Sequence, residues 1–111
     1  MLSPFEALKL LEGKAGTLQA YYQQERDEDL LIAAHATWLQ AVELIHSIRT
    51  TYLAEGSKHQ LIEKVHPIYE QAIEATLELY SIKNDEMYLE DALMLAESSK
   101  SVLLYLSLIH I

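Results

Sequence analysis

His59, Glu63, His66 and Glu70 follow one another at steps of four, three and four residues. On a helix these steps share a face, and imidazole with carboxylate is ligand chemistry for zinc, iron or manganese. Glu63 and His66 form the Glu-x-x-His pair used in di-metal helical bundles, which need two such pairs and two more carboxylates on facing helices. Taken as one isolated pair, and with no His-Glu-x-x-His in the chain, the face is expected to be solvated and polar rather than metal-bound. No metal, and no other cofactor, is expected; Glu63, His66 and Glu70 are the candidates if one binds.

Ser98, Ser99 and Lys100 place two hydroxyls beside an amine. A Ser-x-x-Lys nucleophile would need serine where Glu97 stands, so that chemistry is not expected. His35 and His46 are eleven residues apart, some three helical turns, too far to share a metal. Trp38 with Tyr21, Tyr22 and Tyr52 has the composition of an aromatic pocket, but at helical spacing these rings are expected in the core. The run Glu25–Asp29 reads as a solvated helix start. No catalytic residue is assigned, and the chain is not expected to be an enzyme.

These side chains sit on a chain of 111 residues, length for one domain over 1–111. Half the residues are hydrophobic, enough for one core, and three Gly with two Pro leave little material for β-turns. The absence of Cys removes disulfides, thiolate metal sites and a cysteine nucleophile from these residues. A formal charge of −9 opposes binding to phosphate backbones, so no nucleic-acid partner is expected. The N-terminal residues lack a signal-peptide pattern. The apolar run Val102–Ile111 is half the length a membrane span needs, so no membrane partner and a cytoplasmic location are expected.

Four helical segments are predicted. The first covers about Pro4–Gln24, with Ser3 as cap, Glu6 completing a capping box, and a kink or break expected near Gly13 and Gly16. Asp27 opens the second, whose stripe Leu31, Ala34, Trp38, Val42, Ile45, Arg49 and Tyr52 runs to about Leu53, where Gly56 and Ser57 are expected to stop it. The third covers about Lys58–Lys83 and continues, kinked, through Pro67. Asp85 caps the fourth, about Glu86–Ile109. The expected fold is all-α: an antiparallel bundle of four long helices joined by short connections.

Trp38-Leu39-Gln40-Ala41-Val42, Tyr69-Glu70-Gln71-Ala72-Ile73 and Tyr88-Leu89-Glu90-Asp91-Ala92-Leu93 share an aromatic followed by alanine and an aliphatic. The alanines lie 31 and then 20 residues apart, so the similarity to tetratricopeptide (TPR) helix pairs is degenerate rather than periodic. The fourth segment resembles the last helix before the protease-like domain of CHAT proteins, caspase-like proteins associated with TPR repeats. That helix tends to read aromatic-x-x-x-Ala-x-x-x-Ala-Glu-x-Ser-Lys-x-x-x-Leu. Here Tyr88 is the aromatic, and Ala92, Ala96, Glu97, Ser99, Lys100 and Leu104 fit the remainder. Ile68–Ile73 and Leu77–Tyr80 resemble the helix before it, and the likeness extends over about Asp27–Leu106.

The resemblance implies a protein-interaction scaffold whose partner is a downstream caspase-like domain or another protein, with an interface at Ser99, Lys100, Leu103 and Leu106. The His–Cys pair of that domain has no counterpart in these residues. The alternative is a free-standing four-helix bundle with a metal or small-ligand site. The closing residues Leu106–Ile111 resemble translated sequencing-adapter sequence, which implies a truncated fragment and no functional weight for His110.

Overall fold

The computed structural model describes residues 3–51 and 55–109. They form α1 (Pro4–Glu25), α2 (Glu28–Thr51), α3 (Glu55–Lys83) and α4 (Glu86–Ile109), with no strand among the described residues. The fold is an antiparallel four-helix bundle.

Capping chemistry sets the helix starts. At α1 the Glu6 N–H donates to Ser3 Oγ and the Ser3 N–H donates to Glu6 Oε1, both at 3.1 Å. The backbone bond from Ser3 holds the Glu6 carboxyl below its ordinary range. Asp27 Oδ1 accepts from the Asp29 N–H at α2, and Asp85 Oδ1 accepts from the Met87 N–H at α4, each at 3.0 Å. Two helices end on residues in the left-handed region, Arg26 after α1 (φ 55°) and Asn84 after α3 (φ 56°). Their N–H groups close the final turns on the carbonyls of Tyr22 and Tyr80.

Two expectations about breaks need correction. Helix α1 runs unbroken through Gly13 and Gly16, because Leu8, Ala15 and Tyr22 anchor it at seven-residue steps on either side of them. Gly56 does not separate α2 from α3: α3 begins at Glu55 and contains it. The junction around Tyr52 and Leu53 lies outside the described residues. Helix α3 continues through Pro67, as the apolar rhythm predicts. The N–H that proline lacks would have met the Glu63 carbonyl; both residues face solvent, where water can take its place.

Each helix packs chiefly on its neighbours in sequence. Helices α1 and α3 approach each other over Trp38 of α2, where the Lys64 ammonium meets the Glu12 carboxylate at 2.8 Å. Helices α2 and α4 approach each other beside Tyr69 of α3. The odd and even helices therefore form two staggered layers. The extents, 43 × 29 × 18 Å, agree: the 29 residues of α3 span about 43 Å at 1.5 Å per residue, and two helix layers lie about 8–10 Å apart.

The core runs between the layers. It takes Leu8 and Ala15 from α1, Leu31, Ile45 and Ile48 from α2, Leu61, Val65, Ile68 and Leu79 from α3, and Leu95, Val102 and Leu106 from α4. Thr76, fully buried, satisfies its hydroxyl by donating to the Ala72 carbonyl at 2.7 Å.

Candidate functional site

Helices α2, α3 and α4 bring three polar side chains together. Ser98 Oγ lies 2.8 Å from His46 Nε2 and 2.7 Å from Tyr69 Oη, and Tyr69 Oη lies 3.1 Å from His46 Nε2. Each residue sits on the inward stripe of its helix, which is why residues so distant in sequence converge. Tyr69 is buried, while His46 and Ser98 are half-buried and line one end of a cleft of about 490 Å³. Its walls are parallel helices: Leu39 and Glu43 on α2 face Asp91 and Leu95 on α4. Met94 stands at its rim.

This arrangement can hydrogen-bond a small polar group at the end of an apolar slot. Acyl transfer at Ser98 would further need backbone donors for an oxyanion. Ser98 lies in the interior of α4, where neighbouring N–H groups already serve the helix. The cluster reads as a polar pin between three helices.

His35, one end of the histidine pair considered from sequence, is buried against α4. Its ring meets Tyr88 edge-on with centroids 5.7 Å apart, and its Nε2 has no hydrogen-bond partner. Burial lowers its pKa, and the Asp91 carboxylate offsets part of that effect.

The metal candidates do not converge. His66 Nε2 pairs with Glu70 Oε2 at 3.0 Å on a well-exposed face of α3. Glu63 is exposed one turn away, and the His59 side chain lies outside the described residues. A second Glu-x-x-His, overlooked in reading the sequence, is Glu43 with His46 on α2. His46 turns to Ser98 and Tyr69 while His66 turns to Glu70, so the two pairs do not share a site. Among the described residues no three His, Cys, Asp or Glu side chains are grouped to hold a metal.

The aromatic residues also divide. Trp38 and Tyr22 are buried, and Trp38 Nε1 donates to Gln19 Oε1 at 2.8 Å. Tyr21 faces solvent, and Tyr52 lies outside the described residues. Of the residues expected at an interface, Lys100 is exposed, Ser99 and Leu103 are half-buried, and Leu106 is only 1% exposed within this chain's own core. The large apolar side chains that α4 turns outward are instead Met87, Leu93, Met94 and Leu104. No described helix is long and apolar enough to cross a membrane.

Comparison with protein-family models, with curated proteins and with solved structures finds no match to this chain.

Proposed function

We propose that this chain is a non-catalytic helical scaffold that binds protein, a TPR-like platform for a downstream caspase-like domain of the CHAT type. The observation that carries the proposal is the outward face of α4, where Leu93, Met94 and Leu104 each stand more than 60% exposed. Exposed apolar clusters on a folded surface mark contact sites. The Ala96-Glu97-Ser98-Ser99-Lys100 string on the same helix supports the family reading. In that setting Lys100, Leu103 and Leu104 meet the neighbouring domain, Leu106 supports them from within, and Cys-free composition fits a cytoplasmic location.

The test is the genomic sequence beyond Leu106. A frame continuing for about 100 residues or more, a domain's length, into an α/β region with His and Cys supports the proposal. A frame closing near Ile111 overturns its CHAT part. In the longer protein, slower amide exchange at Leu103 and Leu104 is expected; unchanged exchange there counts against the interface.

A second reading is a small-ligand bundle, favoured by the cleft that ends at His46 and Ser98. Chemical-shift changes confined to residues 36–46 and 91–98 on screening small polar ligands would support it; none across the screen would remove it.

A further inference from the structure

The outer helices of the layered bundle each leave one long face uncovered, and the two faces differ in charge. On α1, Leu10 (60% exposed) and Tyr21 (54%) form an apolar strip flanked by Lys9 and Lys14. Among the described residues neither lysine has an ion-pair partner. On the N-terminal half of α4, Met87 (51%), Leu93 (63%) and Met94 (68%) are interleaved with the exposed carboxylates Glu86, Glu90 and Glu97. The inner helices α2 and α3 expose large apolar side chains less, Leu77 being their most exposed.

The patches also match in length. Leu10 to Tyr21 is eleven steps of helix, about 17 Å, and Met87 to Glu97 is ten, about 15 Å. An ideal Cβ on Gly13, within the α1 strip, meets nothing within 4 Å. Among the described residues no neighbour therefore fills the space above it, and a partner helix can approach closely.

We propose that a second copy of this chain is the occupant, with the α1 face of one molecule seated head to tail on the Met87–Glu97 face of α4 in the next. Lysines on one face meet glutamates on the other, while Leu10 and Tyr21 pack on Leu93 and Met94. Two copies of the same face would set like charges together, which opposes a symmetric α4–α4 or α1–α1 dimer. Head-to-tail contact leaves one free face at each end, so assembly is open rather than closed. One helix-on-helix contact three turns long is smaller than the about 1,200 Å² of a stable interface, so the association is weak. It goes beyond the scaffold proposal and shares Leu93 and Met94 with it, so a domain that covers this stretch of α4 would compete with self-association.

The experiment is sedimentation velocity at about 0.15 M salt, where distant charge repulsion is screened beyond about 8 Å, over two decades of protein concentration. Average mass is expected to rise with concentration for the natural chain. Lys9→Glu with Lys14→Glu, and separately Glu90→Lys with Glu97→Lys, are each expected to stay monomeric. An equimolar mixture of the two variants restores association, because each reversed face then meets its opposite. Circular dichroism confirms that both variants fold; should one lose helicity, Leu10→Lys or Leu93→Lys replaces it, with a monomer expected. A natural chain that is monomeric throughout, folded variants that still associate, or a mixture that stays monomeric overturns the proposal.

Discussion

The Tyr69 hydroxyl lies 2.7 Å from the Ser98 hydroxyl, tying the middle of α3 to the middle of α4 at the point where His46 of α2 joins them. A net intramolecular hydrogen bond contributes about 1 kcal/mol. Tyr69→Phe and Ser98→Ala are each expected to lower unfolding free energy by about that amount. Because they share partners, the double variant should cost less than the sum, with a coupling of about 0.5 kcal/mol or more in urea titrations. Strict additivity would mean that the two hydroxyls do not interact.

His35 gives the bundle a pH dependence of known sign. Its folded pKa is lowered from the ordinary 6.5, so the unfolded chain binds the proton more readily. Its contribution is complete above that value and is lost as pH falls through about 6.5 and below. The urea midpoint should therefore drop between pH 7.5 and pH 5.5. His35→Phe should flatten that drop relative to the natural chain, and an identical drop in both would place the pH dependence elsewhere.

Gly16 occupies an exposed position within an intact helix, and an added Cβ meets nothing within 4 Å. Gly16→Ala is expected to raise stability by about 1 kcal/mol. A loss instead would show that α1 needs the glycine's backbone freedom at this turn.

Leu31 and Ile45 are buried on α2, the helix that touches α1, α3 and α4. Leu31→Ala should cost about 2–5 kcal/mol. The sole tryptophan, Trp38, is buried seven residues along the same stripe of α2 and reports the transition by fluorescence. A cost below about 1 kcal/mol, well under that range, would indicate that the site collapses around the smaller side chain.

The amino-acid pattern carried the fold further than it carried the site. Ser3, Asp27 and Asp85 announce their helices because capping is local: the side chain bonds N–H groups two or three residues on. The buried stripes repeat at three and four residues for the same reason. Gly13, Gly16 and Gly56 misled because propensity is a small local energy, and burial of Leu8, Ala15 and Tyr22 outweighs it at α1. The His46–Tyr69–Ser98 cluster spans 52 residues and depends on helix pairing, which no local spacing encodes. The face of His66 and Glu70 is legible from local spacing, and its solvated character is expected. The two residues share it, as their spacing requires, and it points to solvent.

Sequential packing has a kinetic consequence. Contacts between neighbouring helices close short stretches of chain, so each hairpin can form before the next docks, which places this topology among fast folders. It also divides the energy unevenly. Helices α2 and α3 are held from both sides and should open only with the whole molecule, while α1 and α4 can detach singly. The same two helices that offer their outer faces to a partner are then the first to exchange their amides, and a partner's arrival should slow that exchange at both ends of the stack.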